Sequence, residues 1–170
     1  DRMVAGTEAV YNECLTQPRV VIWKVGALGD VILSTPSLRA IRKQYPQGHV
    51  TLVVGRAAYE AVAHCPYLNE IIIYDPKRKD RGWRRQWNFV KRLQRNAFDI
   101  SIDLQNSRRT HFFAWASGAW KRIGYSRKWA WCLNQGVRLP QVVLAPIAHQ
   151  HYVLRASNIA PDGDQLELWP

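Results

Sequence analysis

Short apolar runs recur along the chain at Val20 to Val25, Val50 to Val54, Ile71 to Tyr74 and Phe98 to Leu104, each separated by a stretch of helix length. Unbroken runs of this kind mark strands buried on both faces. Between them, Leu38, Ile41 and Tyr45 share one helical face. Trp83, Trp87, Val90 and Gln94 share another, interrupted by the last, and predict a helix from near Gly82 with Trp83, Trp87 and Val90 turned to the core. The order β-α-β-α-β-α-β, with crossovers this long, forces parallel pairing and right-handed connections. The expected fold is an open parallel α/β sheet with helices on both faces. Arg122 to Tyr125 offers a further strand and Ile147 to Ile159 a last helix. Residues 1–18 have no strong period and stop at Pro18, so they are expected as an extension with a short helix around Thr7 to Cys14. After the domain at 19–160, Pro161-Asp162-Gly163-Asp164 breaks the pattern, and 161–170 is expected as the start of a linker.

At 170 residues, with 47% hydrophobic and 22% charged positions, the chain has material for one core and excludes a disordered tail or a fibre. No apolar run approaches the roughly 18–20 residues of a membrane-spanning helix, so neither a span nor a secretory signal is expected. Cys14, Cys65 and Cys132 are odd in number and widely spaced, and the five histidines have no metal-ligand spacing. No disulfide framework, metal or redox cofactor is expected, and a reducing cytoplasm fits. Charge changes the picture more. Twenty-four basic against thirteen acidic residues leave +11, which favours polyanionic partners. Residues 77 to 95 alone carry Lys77, Arg78, Lys79, Arg81, Arg84, Arg85, Lys91, Arg92 and Arg95 against Asp80. Arginine forks suit phosphate and carboxylate groups, so this segment is an expected anion-binding surface.

Gly26-Ala27-Leu28-Gly29-Asp30 follows the first strand directly, at the sheet edge where open α/β folds bind ligands. The glycines allow a tight turn and close approach; Asp30 serves as a helix cap or as a functional carboxylate. A dinucleotide site would need a third glycine and an acid ending the second strand, where Val54-Gly55-Arg56 stands instead, and no Gly-Lys-Ser/Thr loop is present. Lys24, one residue before the loop's start, is expected to bring its ammonium out at the same edge. Asp103-Leu104-Gln105-Asn106-Ser107-Arg108-Arg109 follows the fourth strand in the same way, so two loops converge, with Asn106 or Ser107 capping the next helix.

Val21 to Ala40, through Gly26-Ala27-Leu28-Gly29-Asp30 and Ser34-Thr35-Pro36-Ser37-Leu38-Arg39, resembles the start of the ADP-heptose:lipopolysaccharide heptosyltransferases, glycosyltransferase family nine. The resemblance continues through Tyr45-Pro46, His49 to Val54, Pro66 to Ile71, Phe98 to Gln105 and Lys121 to Tyr125. It implies the Rossmann-like amino-terminal, acceptor-binding half of a two-domain GT-B enzyme. The sugar nucleotide, ADP-heptose, would be bound mainly by a carboxyl-terminal domain outside this chain. By position it makes Asp30 the general base of an inverting transfer. It places Lys24 near an anionic glycolipid acceptor, the lipopolysaccharide inner core, which the loop residues Gly26, Ala27, Gly29, Gln105 and Arg108 and the basic Arg78, Arg81, Arg84 and Arg85 are expected to bind. It further implies a bacterial enzyme at the cytoplasmic face of the inner membrane, attached peripherally. Asn106 departs from the family, standing where many relatives have glycine, and His149-Gln150-His151-Tyr152 follows its His-containing helix only loosely. Trp115, Trp120, Trp129 and Trp131 suit core or membrane-surface contacts. The competing class is a basic nucleic-acid-binding module, suggested by the basic residues around Trp83 and Trp87. Such a module has no need of Asp30.

Overall fold

The computed structural model describes residues 17–76 and 82–169. The elements, in order, are β1 (Arg19–Lys24), α1 (Leu28–Ile32), α2 (Thr35–Gln44), β2 (His49–Gly55), β3 (Glu70–Tyr74), α3 (Trp83–Arg95), β4 (Ile100–Asp103), α4 (Arg108–Ala116), β5 (Lys121–Tyr125), β6 (Gln135–Val137) and α5 (Pro146–Arg155). All six strands are parallel, in the order β3-β2-β1-β4-β5-β6. The chain reverses direction across the sheet between β3 and β4, which leaves β1 and β4 as central neighbours and opens a crevice at their carboxyl ends. This is the doubly wound architecture the apolar runs predict.

Both faces of the sheet are covered, which is why β1 reads as an apolar run. Val20 and Ile22 join a core with Leu38 and Ile41 of α2 and Val153 and Leu154 of α5. Val21 and Trp23 point the other way, against Phe89, Val90 and Leu93 of α3 and Phe113 of α4. Trp23 is fully buried, and its indole N–H donates to Ser101 Oγ at 2.8 Å, so its one polar group is satisfied.

One expected face is wrong. Val90 is buried as the spacing predicts, but Trp83 is 76% and Trp87 57% exposed. Burial on α3 is confined to Phe89, Val90 and Leu93, in its second half; the first half stands clear of the core, so its apolar residues meet solvent whatever their phase. β6 was not foreseen because it spans three residues, two of them exposed, and leaves no apolar run. The last helix ends at Arg155, four residues short of the expected Ile159. The expected helix at Thr7 to Cys14 lies outside the described residues.

The segment expected as a linker runs along α2. Arg39 donates to Asp162 at 2.9 Å and to Glu167, and Lys43 meets Asp162 at 2.6 Å. Tyr67 donates its hydroxyl to Glu167 at 2.8 Å, and its ring meets Trp169 edge-on at 5.7 Å.

Candidate functional site

The loops after β1 and β4 meet because their strands are paired, Trp23 opposite Asp103. Gly26 marks the crossing. A methyl group there would sit 2.8 Å from Asp30 Oδ2 and 2.9 Å from Gln105 Oε1, so the ends of both side chains would have to shift to admit it. At Gly29 a methyl group would touch nothing within 4 Å. The two glycines, equal in the sequence, therefore have different duties. Asp30 is exposed, in the first turn of α1, whose N-cap is Ala27 and which has no side-chain cap bond. Gln105 Oε1 has no hydrogen-bond partner among the described residues.

Lys24 lies beneath this pair rather than emerging as expected. It is 8% exposed and donates to the Leu104 carbonyl at 3.2 Å, tying the end of β1 to the β4 loop. Burial lowers its pKa, while the carboxylates of Asp30 and Asp103 pull it back up.

Asp103, which ends β4, is fully buried. Its Oδ1 accepts the amide N–H groups of Gln105 and Asn106, both at 2.9 Å, which folds the loop back over the strand end. That fold needs Asn106 at φ +56°, a conformation glycine or asparagine accepts readily, and so accounts for asparagine at this departure from the family. Asp103 Oδ2 faces His111 Nε2 at 3.3 Å, and His111 Nδ1 lies 2.8 Å from the Lys128 carbonyl. A carbonyl can only accept, so His111 Nδ1 carries hydrogen and donates to Lys128. Burial raises the Asp103 pKa; the nearby His111 and the loop amides oppose that rise. Ser107 caps α4 through a reciprocal pair with Thr110, which settles the capping alternative in favour of Ser107.

Two helices begin at this edge with arginines. Arg84 and Arg85 occupy the first turn of α3, and Arg108 and Arg109 that of α4, and neither turn contains an acid. Cations at the positive end of a helix dipole are locally unfavourable, so four of them are not there to stabilise these helices. All four are exposed. Arg78 and Arg81, with Lys77 and Lys79, lie outside the described residues. Among the described residues no group of histidine, cysteine and acidic side chains could hold a metal.

Sequence reasoning missed two participants. Asp103 read as the end of a strand, and only its burial against His111 shows its work. His149, in the first turn of α5, lies close enough to Lys24 that the ammonium and burial together lower its imidazole pKa. Its carbonyl accepts the Tyr125 hydroxyl at 2.6 Å, and its ring packs 4.2 Å from that of Tyr125. Without β6 in view, nothing in the sequence brought α5 to this edge.

The order of the sheet, with a polar site at its switch point, defines a Rossmann-like domain, and known proteins share this fold. No protein-family model matches the chain. A lipopolysaccharide core heptosyltransferase, OpsX of Haemophilus influenzae, is 27% identical over 139 residues, covering 79% of this chain and 37% of that protein. A family-nine glycosyltransferase from Veillonella parvula superposes with a TM-score of 0.73 at 24% identity over 90% of this chain and 45% of its own. The E. coli heptosyltransferase WaaC, solved with ADP, superposes at 0.71 with 17% identity over 88% and 50%. The chain is thus similar in sequence to a heptosyltransferase and in fold to enzymes of glycosyltransferase family nine. It spans about a third of that curated relative's length and about half of the solved structures.

Proposed function

We propose that this chain is the acceptor-binding half of an inverting heptosyltransferase that moves heptose from ADP-heptose to the lipopolysaccharide inner core. The observation that carries this reading is Asp30, exposed over Gly26 at the crossing of the two loops with buried Lys24 beneath it. An acceptor hydroxyl above Gly26 would lose its proton to the Asp30 carboxylate as its oxygen attacks the anomeric carbon and ADP departs from the opposite face. An exposed carboxylate is a weak base; closure of a second domain would exclude water and strengthen it. Gln105, fixed by the Asp103 turn, would orient the acceptor, and Arg84, Arg85, Arg108 and the basic segment with Arg78 and Arg81 would hold its phosphates and carboxylates. Gly26, Ala27 and Gly29 would supply backbone near the sugar. The donor would be bound mainly by a carboxyl-terminal domain, so no resident cofactor is required. Such an acceptor is a lipid, which puts the bacterial enzyme on the cytoplasmic face of the inner membrane as a peripheral protein.

The test is heptose transfer from ADP-heptose to lipopolysaccharide lacking that heptose, by the complete protein and by its Asp30→Asn variant. The variant is expected to bind acceptor normally and to turn over about 100-fold more slowly, the scale of losing a general base. The 170-residue chain alone should transfer little or nothing, because half a cleft cannot hold both substrates in line. Efficient turnover by this chain alone would overturn the domain assignment. Tight binding of single-stranded RNA, with no response to phosphorylated glycolipid, would return the basic segment to the nucleic-acid reading.

A further inference from the structure

α4 and the loop between β5 and β6 carry three exposed indoles, joined to the second core through the half-buried Phe112. Phe112, Trp115, Trp129 and Trp131 form one connected cluster, with ring centroids 5.9 Å apart for Phe112 and Trp115, 6.5 Å for Phe112 and Trp129, 5.9 Å for Trp115 and Trp131, and 6.2 Å for Trp129 and Trp131. Trp115 stays 48%, Trp129 46% and Trp131 64% exposed. Three neighbouring indoles in water are a poor outcome for packing alone, since each carries the largest apolar surface of any side chain. Trp129 also sits at φ +62°, a region costly for a bulky residue. The patch is held rigidly: His111 binds the Lys128 carbonyl at 2.8 Å, Arg122 Nε donates to the Cys132 carbonyl at 2.7 Å, and the Arg122 amide donates to Asn134 at 2.7 Å.

The stretch of sequence that carries it is of one charge. From Leu104 to Pro161 the sequence contains no aspartate or glutamate and eight lysines and arginines; of these Arg108, Arg127 and Lys128 are exposed beside the aromatic residues in sequence. α4 starts at the site with Arg108 and runs back along the sheet face, so Trp115 lies about 10 Å farther on, at 1.5 Å per residue. The cluster therefore flanks the Asp30 edge instead of closing over it.

We infer that Phe112, Trp115, Trp129 and Trp131, rimmed by Arg108, Arg127 and Lys128, form the face that docks on an anionic phospholipid bilayer, with the indoles seated at headgroup level. This rests on the reading above for a membrane-borne acceptor, and it names the surface that meets the membrane. Indoles combine an apolar body with a donor that prefers the wet boundary, and the surrounding cations match anionic headgroups. Nucleic acid fits less well. Trp115 meets Trp131 at 66° and Phe112 meets Trp129 at 78°, while Phe112–Trp115 and Trp129–Trp131 are tilted by 39° and 31°, so no pair is stacked in parallel as a platform for successive bases.

The experiment mixes the complete protein with phosphatidylcholine vesicles, with and without phosphatidylglycerol, whose acyl chains carry bromine to quench nearby tryptophan. Binding and quenching are expected only with phosphatidylglycerol, weakening as salt rises. Trp115→Ser with Trp131→Ser should weaken binding about tenfold or more, and Arg127→Gln with Lys128→Gln should weaken it independently, a second variant that leaves the aromatic packing intact. Trp83→Ser with Trp87→Ser should bind as the unaltered protein does. Four results would overturn the inference: binding without quenching, equal binding to both vesicles, equal loss from the Trp83 and Trp87 pair, or stronger binding of single-stranded RNA quenching the same indoles. Shielding of Trp115 and Trp131 from acrylamide in the vesicle-free complete protein would also overturn it, by showing that protein covers them. Transfer to a delipidated, water-soluble acceptor separates the two readings. The Trp115 and Trp131 variant should retain it if only docking is lost, whereas its absence in the unaltered protein would count against heptosyl transfer and leave the vesicle result standing.

Discussion

Asp30, in the first turn of the helix after β1, and Asp103, at the end of neighbouring β4, act on the same lysine, yet their surroundings give them opposite work. Asp103 has no exposure, both oxygens directed at partners and a pKa raised by burial. It is committed to holding the loop that presents Gln105. Asp30 is exposed above Gly26, free to meet a substrate. At a sheet edge where several carboxylates converge, burial and partners separate framework from chemistry better than position does.

The largest expected effect tests the framework side. Asp103→Ala strips two loop amides and His111 of their partner at once, and urea unfolding should show a loss of about 3–5 kcal/mol, the range for breaking a buried pair. A loss under about 1 kcal/mol would mean the loop does not depend on it. Next, Gly26→Ala must push Asp30 and Gln105 apart and should cut transfer by the complete protein about tenfold or more, since an ångström of misplacement is costly. Gly29→Ala, with open space around it, should leave the melting temperature unchanged or slightly raised by better helix propensity. Equal effects on stability from the two glycines would erase the distinction between them. Glutamine at Arg78, Arg81, Arg84 and Arg85 should raise the acceptor KM well above any change in the donor KM, with a penalty that shrinks in high salt.

The smallest effect concerns pH. Burial lowers the pKa of His149, with the Lys24 charge adding to it, and burial lowers that of His151, where Arg155 and Arg39 add and Asp164 opposes. As pH falls below the ordinary imidazole value of 6.5, the unfolded chain protonates these rings first. It then binds more protons than the folded chain, so stability falls until the folded rings protonate too. The melting temperature should therefore be a few degrees lower near pH 5 than near pH 7.5. A flat profile would contradict the assigned environments.

Much of this was legible in the chain. Strands buried on both faces announced themselves as apolar runs, and their spacing predicted parallel order, so the meeting of Asp30 and Gln105 at one edge could be read in advance. Periodicity failed where burial was partial. Trp83 and Trp87 have helical spacing toward the core but lie on a half-helix that overhangs it, and β6 is too short and exposed to leave a pattern. The burial of Lys24 and the Asp103–His111 pair could not be read at all, because both depend on which loop folds over which strand end.

The central claim is that Asp30 performs the chemistry while Asp103 only supports it. Its most direct test measures the turnover and thermal stability of Asp30→Asn in the complete protein. Turnover should drop about 100-fold or more while acceptor binding and the melting temperature stay close to those of the unaltered protein. Unchanged turnover, or a melting temperature that falls in step with activity, would make Asp30 a structural residue and contradict the account.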